Sequence, residues 1–460
     1  MLSHAGLSVT GAGTSLLCDP WLVGSSYWRS WWNYPPVPEE LVAGLRPDAI
    51  SLSHIHWDHF HGVTLRRFPR DTPVLVPRGH HDRMRRDLEW LGFTDVRELR
   101  HGRRVDLGPG FAVTSYQFGP FLDSALVIES EGVTLFNVTD AKLMGAPLRQ
   151  VLDRHPDIDF VFRSHSSANG RLCYEILDDP TEAVDDEDRY VRSFVDFAVR
   201  SGARHAIPFA SNHCFLHRDV FAFNDTIKTP QMVVDEVARR GLSTPEVHVL
   251  VSGDTWSSQD GFTVAPNDWF TDREERLAEY RDRVADRLEA TYAEEAAASV
   301  DEDELRGYFA RLSAALPRPL RRFFRHRPVV YVVTAGERTW AYSVDLSAGT
   351  VTPVRDVDDR RHPAQVHVAA HVLHQCIERD LFSHLPISKR VRYRVTKDQK
   401  RTVEVLNLVF NLFEYDYLPL RSTLTRRFAR NWVDRWRELV LYGRAALDLA
   451  VGRGIDVERY

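Results

Sequence analysis

The stretch SLSHIHWDHFHG, residues 51–62, gathers four side chains of metal-ligand type, His54, His56, Asp58 and His59. It follows an apolar run, Ala49–Ser53, that reads as a strand. Where a strand runs out, its period of two aims His54 and His56 at one point. Asp58 and His59 then turn away on the loop and face a second point. Two imidazoles on one side, with a carboxylate and an imidazole on the other, make half of a two-metal cage. The competing reading, a histidine-rich surface loop without ligands, does not account for four such residues directly after a strand. Neutral imidazole is the commonest protein metal ligand, and the chain carries 20 histidines.

The elements that must position this loop follow from composition and pattern. With 460 residues and 43% hydrophobic content the chain is long enough for two or three globular domains. Its 59 basic and 65 acidic residues, a net charge of −6, argue against dedicated nucleic-acid binding, which usually needs a basic excess. Cys18, Cys173, Cys214 and Cys376 have no paired spacing and read as free thiols. The start shows no basic and apolar leader, and even VLNLVFNLFEYDYLPL is cut by Asn407, Asn411 and Glu414, so no membrane association and a cytoplasmic location are expected.

Strands are expected at Leu7–Cys18, Ala49–Ser53, Pro73–Pro77, Phe111–Phe118, Ala125–Glu129, Val133–Val138, Asp159–Arg163, His205–Phe209 and His248–Ser252, with helices at Asp82–Leu91 and Tyr190–Arg200. This gives a mixed α/β (α+β) domain over 1–265. A charged, alanine-rich helical linker follows over 266–328, ending in the basic run RRFFRHRP (321–328), read as a solvated junction. A smaller C-terminal α/β domain is expected over 329–460. Its strands are Val329–Thr334, Thr339–Asp345 and Thr350–Pro353, and its helices Gln365–Glu378 and Arg430–Val451. That unit reads as a lid or dimerisation module. His371 and His374 within it read as packing rather than ligands.

The His-x-His-x-Asp-His pattern of His54, His56, Asp58 and His59 resembles the metallo-β-lactamase superfamily, and His4-Ala5 and Leu17–Pro20 match that superfamily's early turn and second strand. The resemblance implies an αββα sandwich with metal at one edge, and Asp19 supporting the metal loop from behind. Only three residues precede His4, where a strand normally stands, so either a later-than-true start or a missing edge strand is expected. DPWLVGSSYWRSWWNYPP (19–36), FNVTDA (136–141), IPFASNHCFLHRD (207–219) and DRRHPAQVHVAAHVLHQCI (359–377) are similar to the CMP-N-acetylneuraminate hydroxylase group without its Rieske part. No Cys-x-His begins a Rieske site in these residues, so no Rieske cluster is expected and the sialic-acid substrate is not carried over.

The resemblance also implies Asp140 as a carboxylate bridging two metals and a distal histidine within PFASNHCFLH, with His217 favoured over His213. It implies a third histidine on the first metal, but YQFGPFLDSA (116–125) has none. Either His54, His56 and Asp140 suffice, or His80, His81 or His165 reaches in, or only Asp58, His59, Asp140 and His217 hold metal. Asp123 is read as orienting a ligand from behind or as a turn residue. His165 is read as approaching the cage, in contact with substrate, or as structural. Trp28, Arg29, Trp31, Trp32 and Tyr34 sit where such enzymes cover substrate, and read equally as a wall for a bulky small molecule or as core against the helical linker.

Two divalent ions, zinc or iron, or a single ion, are therefore expected. The first reading is a hydrolase that uses a metal-activated water, oriented by Asp58 and Asp140, on an ester, lactone, amide or phosphodiester. The second is a nonheme iron or di-iron oxygenase, a monooxygenase that hydroxylates an organic substrate with electrons from an external donor. The third is a non-catalytic metal-binding scaffold. Homo-oligomerisation is left open.

Overall fold

The computed structural model describes residues 1–166, 168, 170–181 and 188–450, with side chains to 448. Along its strands successive side chains alternate between two different cores. Leu16 and Cys18 point into one core and Leu17 into another, and the same split separates Leu126 and Ile128 from Val127, and Phe160 and Phe162 from Val161. Both faces of each sheet are therefore apolar, and each sheet must be covered twice.

The first sheet runs in the order Leu7–Gly11, Thr14–Cys18, Ala49–Ser51, Val74–Pro77, Val96–Leu99. Its first two strands form a hairpin through Ala12 and Gly13, both left-handed (φ 50° and 74°), as a tight two-residue turn requires. The second sheet is ordered Glu246–Val247, His205–Phe209, Phe160–Ser164, Val133–Thr139, Asp123–Ser130, Phe111–Phe118, Arg104–Gly108. Leu16, Leu75, Phe111, Ile128, Phe162 and Ile207 fill the space between the sheets. Met84 and Leu88, from the helix Arg83–Trp90, cover the outer face of the first sheet. Leu148, Val151, Phe194 and Val195, from the helices Gly145–Arg154 and Asp188–Ser201, cover that of the second. These four layers are the expected αββα sandwich.

A third sheet, ordered Tyr174–Ile176, Val391–Val395, Ala364–Ala369, Val329–Ala335, Arg338–Asp345, Thr350–Pro353, forms the additional α/β unit. Its first strand comes from the N-terminal half, so the boundary expected at 265 is crossed by backbone pairing. Helices Arg273–Arg283, Ala285–Ala297, Glu302–Ala315 and Arg318–Phe323 make up the linker. Arg327 lies over the Phe323 ring at 4.5 Å, and Phe324 is buried, so the basic run is anchored by aromatics at the junction.

Several expected elements differ. The helix expected from Gln365 starts only at Ala370, because Val366 and Val368 alternate into the core of a strand that ends at Ala369. At His248–Ser252 there is no strand; the pairing lies just before it, at Glu246–Val247. The expected Arg430–Val451 helix is two helices, Arg426–Asp434 and Trp436–Ala450. They meet at Arg435, whose buried guanidinium reaches Glu438 and the Gly119 carbonyl. The helix Lys397–Glu414 and the strand Val391–Val395 were not expected. Among the described residues no helix is long and apolar enough to cross a membrane.

Glu414 closes its helix in a buried position, accepting the Ser383 N–H at 3.0 Å. Burial pushes its carboxyl up to about 8, against the attraction of Arg83. An acid whose folded value lies above its unfolded one costs stability progressively as pH climbs from the unfolded to the folded value. Glu414→Gln is therefore expected to gain on the order of a few kcal/mol over the unaltered chain at pH 8 and almost nothing at pH 4. Urea denaturation at the two pH values checks this; an equal gain at both would contradict it.

Candidate metal centre

The histidine loop is oriented by one carboxylate. Asp19 follows the strand Thr14–Cys18 with φ 41°, beside the strand Ala49–Ser51 that feeds the loop. It accepts the Ser53 N–H at 2.7 Å, the Ser53 hydroxyl at 2.6 Å and the His59 Nδ1–H at 2.8 Å. With its proton given to Asp19, the Ser53 oxygen is left to accept from His54 Nδ1 at 2.9 Å. Both histidines thereby turn Nε2 forward. His59 Nε2 lies 3.5 Å from Asp58 Oδ2 and 3.6 Å from Asp140 Oδ2. Asp140 arrives at the end of the strand Val133–Thr139, after a left-handed Thr139 (φ 50°). Asp123 arrives at the start of the strand Asp123–Ser130, after a left-handed Leu122 (φ 65°).

Three overlapping groups of potential ligands result: His54, His56 and Asp123; His54, His59 and Asp140; His4, Asp58 and His59. In each, the ligand atoms lie within 4.8 Å of one another. His54 Nε2 and His56 Nδ1 are 2.8 Å apart. Burial, then the neighbouring imidazole, brings His54 and His56 down to about 4, which keeps their lone pairs free at neutral pH. Burial alone would raise the Asp58 carboxyl, yet His59 and His4 hold it well below its ordinary value. Its oxygens accept the Tyr27 hydroxyl at 2.5 Å and His4 Nε2 at 3.0 Å.

These residues fit a divalent metal. His59 Nε2 is buried and finds no hydrogen-bond partner among the described residues, although its ring is fixed from behind by Asp19. Against burial, Asp58 and Asp19 raise His59 well above its ordinary value, so a divalent cation facing those carboxylates would displace the Nε2 proton and take its place.

Other candidates fall differently. His217, favoured as the distal histidine, lies outside these groups. Its Nε2 meets Glu295 at 3.2 Å and its Nδ1 lies 3.7 Å from Asp219, beside Arg390. His213 takes the position near the centre instead. Its ring is 5.5 Å from that of His4, its Nδ1 donates to the Ser211 carbonyl at 3.1 Å, and its Nε2 is buried without a partner among the described residues. The two lie four residues apart, and the strand His213–Phe215 turns only the first toward His4. His165 is fully buried near His4, and burial, then His4, draws it down to about 3. Asp123, read as orienting a ligand from behind or as a turn residue, brings a carboxylate oxygen within 4.8 Å of ligand atoms of His54 and His56. His80 is turned to the Tyr415 carbonyl at 2.6 Å with its ring against Tyr417, and the His81 ring lies against that of Tyr415. His371 meets Gln375 and His374 meets Glu304, outside any group of three donors found among the described residues.

The aromatic loop is core. Trp31 stacks on His213 at 3.7 Å, and Trp28 packs against Trp57 and the third-sheet unit. Trp32 and Tyr34 pack into the helical linker, while Arg29 is exposed and gives its carbonyl to Trp32 Nε1. None of the three indoles forms an open wall; their relative exposures are 7%, 2% and 2%.

Three site residues escaped the sequence reading: His4 as a partner of Asp58, Tyr27 on the same carboxylate, and His384. His384 is buried, its ring 5.5 Å from His56 and from Trp57, with Nε2 lacking a hydrogen-bond partner among the described residues. His4 was visible only as a turn. Nothing local marks His384, which arrives from the distant third-sheet unit.

No family model matches the chain. A Mycobacterium tuberculosis (strain H37Rv) protein named as a Rieske 2Fe–2S iron–sulfur protein is 28% identical over 390 residues, covering 78% of this chain and 72% of that protein. The cytidine monophosphate-N-acetylneuraminic acid hydroxylase of Mus musculus is 27% identical over 148 residues, 30% of this chain and 25% of the hydroxylase. Among solved structures, an isothiocyanate hydrolase from Delia radicum gut bacteria is 16% identical with a TM-score of 0.41, covering 56% of this chain and 97% of its own. A variant of the CmlA β-hydroxylase is 19% identical with a TM-score of 0.38, covering 55% and 52%. The two stacked sheets, their outer helices and the histidine loop at one edge give the chain the metallo-β-lactamase fold, and in sequence it resembles the CMP-N-acetylneuraminic acid hydroxylase group.

Proposed function

We propose that the chain is a nonheme iron oxygenase that hydroxylates a small organic molecule. The observation that carries this reading is the donor group His54, His56 and Asp123: two imidazoles and one carboxylate where a zinc hydrolase of this fold would present three imidazoles. A two-histidine, one-carboxylate set with open positions suits ferrous iron and oxygen chemistry. His59 Nε2, 3.5 Å from Asp58 and 3.6 Å from Asp140, adds a second, carboxylate-rich position beside it. The sequence relatives support the same direction, being named as an iron–sulfur protein and a hydroxylase.

Iron bound there would supply the electron transfer that activates dioxygen. Hydroxylation of R–H consumes dioxygen, two electrons and two protons and yields R–OH and water, so an iron–sulfur or flavin donor outside these 460 residues must deliver the electrons. The protein's own part is orientation and exclusion of water. Asp19 fixes the ring proton of His59 on Nδ1, and, through Ser53, that of His54. Tyr27 and His4 hold both oxygens of Asp58. Trp31 stacked on His213, and Trp57 beside His384, wall off the sides facing the third-sheet unit. The Asp140 side chain is 28% exposed while those of His59 and Asp58 are 0% and 4% exposed, so substrate reaches the centre from the Asp140 side.

Protein purified without oxygen is expected to carry about two irons per chain, and to consume oxygen in step with an added reductant. Asp123→Ala should keep the fold, hold about one iron fewer and lose oxygen consumption. A zinc-loaded protein that cleaves esters without oxygen would overturn the reading in favour of a hydrolase. Asp19→Asn should weaken metal binding by roughly 10–100-fold in a chelator competition, because an uncharged amide with one acceptor oxygen cannot serve the three donors that both carboxylate oxygens hold. Unchanged affinity would show that Asp19 does not orient the ligands.

A further inference from the structure

We propose that His205, Glu246 and His248 form a separate metal site that takes one Zn²⁺ ion. The three residues come together through strand register. His205 opens the strand His205–Phe209 and lies opposite Glu246 on the parallel edge strand Glu246–Val247. His248 follows two positions on, with its N–H donating to the Ala206 carbonyl at 3.1 Å, so the period of two returns its side chain to the face of Glu246.

The donor atoms form a small triangle. His205 Nδ1 is 3.1 Å from His248 Nε2 and 3.4 Å from Glu246 Oε2, and His248 Nε2 is 3.6 Å from the same oxygen. Tetrahedral zinc with bonds of about 2.0–2.2 Å sets neighbouring ligand atoms about 3.3–3.6 Å apart. Both nitrogen-to-oxygen separations fall in that range and the nitrogen-to-nitrogen one, 3.1 Å, is slightly shorter, so a small opening of the two rings would place the side chains at three corners of such a site. A plain hydrogen bond between two imidazoles would account for one of these distances; it would not bring one carboxylate oxygen to both rings.

The rings are held where they stand. His248 stacks on Phe262 at 3.7 Å and 22°, and His205 lies 5.0 Å from Phe160 and 5.2 Å from Phe262. Burial, then His205, lowers the His248 value, which favours the neutral ligand form. Both imidazole side chains are 23% exposed and the carboxylate 65%, so the fourth corner opens to water. The site stands apart from the histidine loop: the strand from His205 ends at Phe209, roughly 13 Å further on, before Ala210 bonds to His4. Zinc here would clamp a two-residue edge strand to the sheet and to the hairpin Thr255–Thr263 that carries Phe262.

The test is a zinc titration of chelator-stripped full-length protein against a chromophoric competitor. The unaltered chain is expected to bind one more zinc equivalent than the double variant His205→Ala/His248→Ala. Glu246→Gln, at an exposed position, keeps both rings and should weaken that equivalent about tenfold or more. Thermal melts of the metal-free proteins establish that the variants fold, and added zinc should raise the midpoint of the unaltered chain above that of the double variant. Equal zinc stoichiometry in all three folded proteins would overturn the proposal and reduce the triad to an ion pair.

Discussion

The carboxylate of Asp19 is the constraint on which the centre depends. It sits behind the loop, not in it, and binds the backbone of Ser53, the hydroxyl of Ser53 and the ring of His59 at once. Because Ser53 in turn receives His54, one buried anion sets the proton positions of two imidazoles. The strand order makes this possible, since Cys18 and Ser51 are paired neighbours and their C-terminal ends emerge side by side. Backbone at Asp19 is left-handed to bring the carboxylate across, a local cost that the surrounding sheets hold in place.

In front of Asp19 lies a strip that would be unfavourable in an ordinary core. Imidazoles and carboxylates are buried together, several with nitrogens lacking a hydrogen-bond partner among the described residues. Burying such groups costs free energy unless each is paired, and here the missing partner has the charge and reach of a metal cation. The apolar cores on either side carry the fold through that cost. The third-sheet unit shares in it, because Tyr27, Trp28 and Trp31 belong to the core of that unit while Tyr27 also holds Asp58. The two parts of the chain therefore meet at the centre, and they are also joined by the parallel pairing of Tyr174–Ile176 with Val391–Val395.

Much of this was legible in the residues. His54, His56, Asp58 and His59 are local in sequence, and a strand followed by a loop leaves few ways to arrange them. Alternation along each strand is a short-range pattern and made a mixed α/β domain legible, while the sandwich itself came from the resemblance carried by the histidine loop. Residues whose roles depend on distant partners were not. Asp123 reads either as a turn aspartate or as support behind a ligand until the loop is folded against it, and His384 belongs to a unit whose packing no local pattern reveals. The choice between His213 and His217 turns on the direction of a short strand, and spacing does not encode that direction. Trp28, Trp31 and Trp32 read equally as wall or core, because an indole's chemistry suits both and only the position of the linker decides. Gln365–Ala369 reads as the start of a helix because a short apolar run with alanines satisfies either period, whereas it belongs to the strand Ala364–Ala369.

Iron at this centre would have to sit among these imidazoles and carboxylates, where anomalous diffraction at the iron absorption edge, from crystals grown without oxygen, would locate it. One peak is predicted among His54, His56 and Asp123 and a second among Asp58, His59 and Asp140. An absence of both peaks in an iron-loaded crystal, or rings of His54 and His59 turned away from Asp140, would contradict the account.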